Sequence, residues 1–256
     1  MKKAFTLAEV LITLVVIGVV AAITLPTMIQ NYNEQERAAK VKKAYSTIAQ
    51  ALIKADALGG GSDFEAADGS DESIKEWYDT YMAPGLSTIR YCIYGNTMRQ
   101  NGCWSTEDTI DAEGNKIPYS SGGGYGPGYN TASFVLADGT MATIDIFDPN
   151  DLWNIFGVKV KSNKGLAIYF DINGDRKPNK MGKDVFCLVY KDGSAVPCYA
   201  DSSRATENCE KRTGVTATNG YWYDDEGNPH QYSGSWNADY HGRAGYGCIM
   251  KYMKKQ

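Results

Sequence analysis

The distribution of apolar and polar residues divides the chain into stretches with different periodicities. From Phe5 to Met28 the sequence is almost continuously apolar, and Glu9 is the only charged residue in this stretch. Because an α-helix rises about 1.5 Å per residue, these positions extend over roughly 36 Å, enough to cross a hydrocarbon core of about 30 Å. The pattern predicts a membrane-spanning helix over residues 5–28, preceded by a short charged leader at residues 1–4.

The apolar pattern then becomes one-sided, which predicts that the helix continues as an amphipathic helix over residues 29–58. Its apolar residues recur at steps of three and four, the spacing of one helical face, with charged residues between them. Glycines 59 to 61 predict its end, because glycine commonly follows the last helical residue. The predicted apolar stripe consists of Ala38, Val41, Tyr45, Ile48, Leu52 and Ala55.

Farther along the chain, the pattern changes to the short runs that are typical of β-strands. Two of these runs, Ala132–Ala137 and Thr140–Phe147, flank Asp138-Gly139, a dipeptide that predicts a two-residue hairpin turn. Further strands are predicted at residues 165–171 and 184–190.

These elements predict an α+β fold in which a long N-terminal helix packs on a C-terminal antiparallel β-sheet. Residues 131–256 would form the sheet domain with a disulfide-tied tail. Residues 59–130 are rich in glycine, serine and acidic residues, and we expect a variable region there that combines loops with α and β structure. Within it we expect a short helix near residues 71–82, which ends before Pro84.

The six cysteines all follow the apolar N-terminal segment, and none of them forms a Cys-x-x-Cys pair. An even number in a domain outside the cytoplasm predicts up to three disulfides, whereas in a reducing compartment the same residues would be buried thiols. A tight turn at Asp192-Gly193 would place Cys187 opposite Cys198, so this pairing rests on strand geometry. The other expected pairs, which lack such an argument, are Cys92 with Cys103 and Cys209 with Cys248.

The start of the chain resembles a known processing motif. Residues 2–12, KKAFTLAEVLI, resemble the cleavage and methylation motif of type IV prepilins and type II secretion pseudopilins. The resemblance implies that a prepilin peptidase cuts between Ala4 and Phe5 on the cytoplasmic side and methylates the new amino group of Phe5. The family usually has glycine before the cut, and this chain has alanine there.

The resemblance also implies roles for two residues inside the apolar stretch. A carboxylate in a membrane helix costs about 2.5 to 3.5 kcal/mol on insertion scales, so Glu9 either reaches the membrane interface or has a partner. In assembled pili this glutamate is thought to meet the N-terminal amine of a neighbouring subunit, which would pair Glu9 with Phe5. Pro26 stands where family members often have a proline, whose missing N–H group loosens or kinks the helix.

The alternative for this segment is an ordinary secretory signal peptide, which also combines positive charge with an apolar run. The leader is very short, Glu9 interrupts the apolar run, and the small residues Ala21-Ala22 are followed by further apolar residues. These observations favour the prepilin interpretation.

The resemblance implies a structural subunit, a pilin or pseudopilin, that polymerises into a type IV pilus or a type II secretion pseudopilus. The chain length favours a minor subunit. Its partners would be other pilin subunits, the prepilin peptidase, an inner-membrane assembly platform and membrane lipid. It would cross the bacterial inner membrane once, with its C-terminal domain outside the cytoplasm, before it enters a surface pilus or a periplasmic pseudopilus. The alternative is a singly anchored binding or adhesion domain that does not polymerise.

One loop in the C-terminal half has the composition of a calcium site. Asp171, Asn173 and Asp175 occupy alternate positions, and Asp184 returns later, as in the opening of a calcium-binding loop. The loop is not an EF-hand, because Gly182 stands where a glutamate would close the coordination shell. A metal-free loop held by Asx-turns explains the same residues, so both interpretations stay open.

Composition and motifs favour a protein that is not an enzyme. The 26 basic and 30 acidic residues give a net charge of -4, so no nucleic-acid partner is expected. The chain has two histidines and contains neither a Gly-x-Ser-x-Gly nor a His-Glu-x-x-His motif. We predict no catalytic residue and, apart from calcium, no cofactor.

Overall fold

A computed structural model describes residues 6–61, 71–93, 98–117, 132–162, 164–201, 209, 221–223, 229–231 and 245–253. The chain divides into two compact units, Met1–Lys40 and Val41–Gln256. The first long element is helix α1, Leu7–Ala57. It ends as the glycines predict, with Gly59 in the left-handed region at φ 93° and its N–H donating to Asp56 O at 2.9 Å.

The remaining elements belong to the second unit. Helix α2 (Asp71–Trp77) continues into a π-helical turn (Tyr78–Met82) and a 3-10 turn (Ala83–Gly85). Helix α3 is Pro149–Phe156, and a 3-10 turn (Tyr246–Ile249) leads into α4 (Met250–Met253). The strands are β1 (Thr88–Ile93), β2 (Ala132–Leu136), β3 (Met141–Phe147), β4 (Gly165–Asp171), β5 (Val185–Lys191), β6 (Ser194–Pro197), β7 (Tyr221–Tyr223) and β8 (Pro229–Gln231).

Strands β1 to β6 form one six-stranded sheet in sequential order, and every neighbouring pair is antiparallel. Strands β7 and β8 form a separate two-stranded sheet. The long N-terminal helix and the antiparallel sheet confirm the predicted α+β fold, and the arrangement is consistent with a pilin-like fold.

The two predicted hairpin turns differ. At Asp192-Gly193 the loop has two residues, and Lys191 pairs with Ser194 as expected. At Asp138-Gly139 the two-residue prediction was wrong, because Leu136 donates its N–H to Thr140 O at 2.8 Å across a three-residue loop. Gly139 takes the left-handed conformation there, at φ 87°.

One face of the sheet is covered by irregular segments. Val135, Tyr169 and Cys187 belong to a buried cluster on this face, which also contains residues outside the sheet. Among these, Tyr246 receives a hydrogen bond from the Tyr169 hydroxyl at 3.1 Å, and Trp104 is 1% exposed. This layer is therefore built from loops, α3 and the end of the chain.

The opposite face receives the second part of α1. Side chains alternate across a strand, so Ile168 and Leu188 point to this face, away from the cluster just described. Tyr45 donates its hydroxyl to Ala195 O in β6 at 3.0 Å. The observed buried stripe differs from the predicted one, because Ala38 and Tyr45 are only partly buried. The fully buried positions are Val41, Ala44, Ile48, Ala51, Leu52 and Ala55.

Several elements were absent from the sequence prediction, among them β1, α3, the strands β7 and β8, and α4. Strand β1 comes from the region 59–130, which was predicted as variable, and it pairs with β2 across an irregularity between Thr88 and Arg90. Helix α3 begins with proline in its first turn and ends at Gly157, which is left-handed at φ 60°. The Asp-Pro start and the glycine end are sequence signals that would have predicted this helix.

Candidate functional site

The surface of α1 in the first unit is apolar and exposed. Leu7, Ile23 and Met28 have exposed fractions of 77%, 69% and 65%. Among the described residues, α1 is the one helix that is long and apolar enough to cross a membrane, and none of its most apolar window is buried within the chain. Removing a leucine or isoleucine side chain from water is worth about 1.5–3 kcal/mol, so this surface favours a lipid or protein environment.

Glu9 and Thr6 cap the N-terminus of α1. The Thr6 N–H donates to Glu9 Oε2 at 2.8 Å, and the Glu9 N–H donates to Thr6 Oγ1 at 3.3 Å. The Thr6 hydroxyl also donates to Glu9 Oε2 at 2.9 Å. This reciprocal arrangement is a capping box, so the glutamate has a partner in its own chain. The sequence analysis missed Thr6, although Thr-x-x-Glu before an apolar run is the signal for this cap.

The structure describes Pro26 but not the two residues of the predicted cleavage site. Ala4 and Phe5 lie outside the described residues, so the cleavage between them, the methylation and the pairing of Phe5 with Glu9 stay predictions. Pro26 lies inside α1, and the helix continues through it to Ala57. The predicted loosening at Pro26 therefore does not end the helix.

The loop between β4 and β5 brings together the predicted calcium ligands. Asp171 Oδ1 accepts hydrogen bonds from the N–H groups of Asn173 at 2.9 Å and Gly174 at 3.2 Å. Asp184 Oδ2 accepts one from Asn173 Nδ2 at 2.9 Å. Asp175 faces elsewhere and accepts a hydrogen bond from the Thr106 N–H at 3.0 Å. Asp171, Asn173 and Asp184 thus form one hydrogen-bonded group, which Asp175 does not join.

Burial dominates the electrostatics of this loop. Asp171 is fully buried, and the loss of water raises the pKa of its carboxyl to about 8, with a contribution from the negative charge of Asp184. Burial also raises the pKa of Asp184, against the opposing effect of hydrogen bonds from Lys180 and Asn179. Within the described part of the chain, no three His, Cys, Asp or Glu side chains form a group that could hold a metal ion. A cation at this loop would need oxygen ligands other than carboxylates as well.

Asn179 is a member of this loop that the sequence analysis missed. Its side chain is fully buried and donates through Nδ2 to Glu107 O at 2.8 Å. Its backbone is left-handed at φ 50°, a conformation that asparagine tolerates better than most residues. An Asn after a proline in a polar loop was the available signal.

Three disulfides stabilise the layer of loops. They join Cys92 to Cys103, Cys187 to Cys198 and Cys209 to Cys248, which are the pairs expected from the sequence. The Cys187–Cys198 pair has the predicted register, since Leu188 lies opposite Pro197 and the Cys198 N–H donates to Cys187 O at 3.3 Å. The bridges connect strands of the sheet and the chain end to the segments that cover the sheet.

Comparison with known proteins identifies the N-terminal segment. The profile of the prokaryotic N-terminal methylation motif matches residues 1–25. This motif is the prepilin-type cleavage and methylation signature of type IV pilins and pseudopilins, as the resemblance predicted. No curated protein and no solved structure matches the chain.

The matched motif, which covers residues 1–25, supports a class of protein that is consistent with the fold. The motif supports a precursor of the type IV pilin or pseudopilin kind, and it marks a structural family that is usually not enzymatic. It implies processing by a prepilin peptidase and assembly with other pilins. Together with the apolar helix, it fits a membrane-anchored, single-pass pilin.

Proposed function

We propose that the chain is the precursor of a minor structural subunit that polymerises into a type IV pilus or a type II secretion pseudopilus. The observation that carries this proposal is the exposed apolar surface of α1, most of which lies within the residues that match the methylation motif. Lipid covers this surface before assembly. In the filament, helices of neighbouring subunits replace the lipid, and close packing between helices provides the attraction.

The processing step is tested by mass spectrometry of the N-terminal peptide of the native protein. We expect the mature chain to begin at Phe5 with an N-methylated amino group. A chain that keeps Met1, or that begins after Ala22, would contradict the proposal and leave a simple anchored or secreted domain.

Glu9 is proposed to set the register between subunits by pairing with the N-terminal amine of Phe5 in a neighbour. In the single chain its carboxylate binds to Thr6 instead, so the capping box keeps the acid hydrogen-bonded until a neighbour arrives. We expect Glu9→Ala to leave membrane insertion intact and to reduce incorporation into filaments. The measured quantity is the fraction of the chain in sheared filaments relative to membranes.

Two further variants separate the charge of Glu9 from its capping role. Glutamine also occupies this position in capping boxes, so Glu9→Gln keeps the cap and removes the charge. Thr6→Ala removes the hydroxyl half of the capping box and keeps the carboxylate with its hydrogen bond from the backbone N–H of residue 6. We expect Glu9→Gln to reduce filament incorporation as Glu9→Ala does, and Thr6→Ala to retain it. Normal incorporation of Glu9→Gln would mean that an ion pair does not set the register.

The proposed location is the bacterial inner membrane, with the second unit outside the cytoplasm, followed by a surface pilus or a periplasmic pseudopilus. An inner-membrane assembly platform would extract the subunit from lipid. The alternative function is a singly anchored binding or adhesion domain. Chemical cross-linking in cells distinguishes the two, because a filament subunit is recovered with other pilins and an anchored domain is recovered alone in the membrane fraction.

A further inference from the structure

Three buried oxygen atoms in the β4–β5 loop accept no hydrogen bond from the described residues. They are Asp171 Oδ2, Asn173 Oδ1 and Asn179 Oδ1. Asp171 and Asn179 are both 0% exposed, so bulk water does not reach them. A buried polar atom without a partner costs about 1–3 kcal/mol. Three such acceptors in one loop are available to a cation, to water or to a proton on Asp171.

The hydrogen bonds determine which oxygen atom of each side chain has no donor among the described residues. Asn179 Nδ2 donates to Glu107 O, and Asn173 Nδ2 donates to Asp184 Oδ2. Turning either amide over would place an oxygen against another acceptor, so the amide oxygens are the atoms left over. For Asp171, both N–H donors bind Oδ1, which leaves Oδ2.

Asp184 connects Asn173 to Asn179. Its Oδ2 lies 2.9 Å from Asn173 Nδ2 and also 2.9 Å from the backbone nitrogen of Asn179. Its other oxygen accepts a hydrogen bond from the Lys180 N–H. Asp184 therefore acts as a support that orients the ligands, a role that carboxylates commonly have next to metal ions.

We propose that Asp171, Asn173 and Asn179 bind a divalent cation, calcium in preference to magnesium, through these three oxygen atoms. This ligand set replaces Asp175 and Asp184 of the sequence-based set with Asn179. Carboxylate and amide oxygens are calcium ligands, and calcium accepts the irregular geometry of a loop, whereas magnesium demands a near-octahedral shell and retains its waters. A single carboxylate gives a weak site, with an expected Kd on the order of 10⁻⁴ to 10⁻³ M, the range of extracellular calcium modules.

Binding at this loop would stabilise the segments that pack around it. The Ile110 N–H donates to Asn179 O at 3.0 Å, and the Met181 N–H donates to Ile110 O at 2.8 Å. On the other side, a methyl group added at Gly182 would lie 2.3 Å from Cys248 Sγ, so the chain end packs directly against the loop. The cation would therefore order the loop layer of the second unit, whether or not the chain polymerises.

The test is calcium titration of the full-length chain, purified in detergent and freed of metals with a chelator. We expect saturable calorimetric binding in the stated range, a rise in Tm that follows saturation, and at least about tenfold weaker binding of magnesium. Hydrogen exchange of residues 105–117 should slow when calcium is present. A wild-type chain with neither heat nor Tm shift up to roughly 20 mM calcium, well above the expected Kd, would overturn the proposal and leave a proton or water at Asp171.

Variants locate the ligands. Asp171→Asn keeps the size of the side chain and removes the charge, and we expect it to weaken calcium binding at least about tenfold. Asp175→Asn is the matched control on the same loop, and it should leave the affinity unchanged. Asn173→Ala, at a partly exposed position, is a second ligand variant if Asp171→Asn fails to fold. Unchanged affinity in a folded ligand variant, or loss only in Asp175→Asn, would overturn the ligand assignment.

Discussion

The two stretches of α1 share one helix but have opposite surroundings. From Leu7 to Tyr32 the large apolar side chains are exposed, whereas from Val41 to Ala55 the apolar stripe is buried. The first stretch is apolar on all sides, and the second has charged residues on its other side. A one-sided stripe identifies a partner within the chain, here the sheet. An apolar surface without a polar side requires a partner from outside, which is lipid or another helix.

The largest expected effect comes from shortening a leucine in each stretch. Leu52 is 0% exposed, so Leu52→Ala leaves a cavity between α1 and the sheet and should lower the free energy of unfolding by about 2–5 kcal/mol. Leu14 is 60% exposed, and Leu14→Ala should change it by less than about 0.5 kcal/mol. Denaturant unfolding in detergent, followed by tryptophan fluorescence, measures both. Similar losses in the two variants would contradict the contrast between the stretches.

A glycine pair should give effects of opposite sign. A Cβ added at Gly85 would lie 2.9 Å from Ala51 Cα, so Gly85→Ala forces α1 away from the neighbouring turn. Such overpacking costs about 1–3 kcal/mol and should lower Tm. Gly18 has open space around it and lies inside the helix, so Gly18→Ala should strengthen the helix by up to about 1 kcal/mol.

Circular dichroism during heating checks this pair. The reverse result, with Gly85→Ala tolerated and Gly18→Ala destabilising, would mean that α1 contacts its neighbours through the first stretch instead of the second.

The sequence predicted the structure correctly where a single local signal determines the backbone conformation. Gly59 ends α1 in the left-handed conformation, and the Asp192-Gly193 turn sets a register that aligns Cys187 with Cys198. Prediction failed where a tertiary contact decides. Strand β1 is an edge strand whose side chains are mostly exposed or half-buried, so it lacks a clear alternation. The Asp138-Gly139 loop has three residues with Gly139 in the left-handed conformation, and the dipeptide alone does not distinguish this loop from a two-residue turn.

The candidate cation site shows the same limit. Local spacing grouped Asp171, Asn173 and Asp184, which the structure joins by hydrogen bonds, but it also included Asp175, which turns to the Thr106 N–H in a distant segment. Asn179 was missed because its position depends on a hydrogen bond to Glu107 O and on burial, neither of which the local sequence contains. Spacing predicts which side chains are near each other, and tertiary hydrogen bonds decide which of their atoms remain for a ligand.

The smallest expected effect comes from removing one hydroxyl in each stretch. Tyr45→Phe removes the hydrogen bond to Ala195 O and leaves that carbonyl with one partner fewer, so the free energy of unfolding should fall by about 0.5–1.5 kcal/mol. Tyr32 is 67% exposed, and Tyr32→Phe should cause no measurable change. The midpoints of urea unfolding measure this difference, provided that variant and wild type have the same m-value. If Tyr45→Phe is as stable as the wild type, the contact between α1 and β6 depends on apolar packing alone.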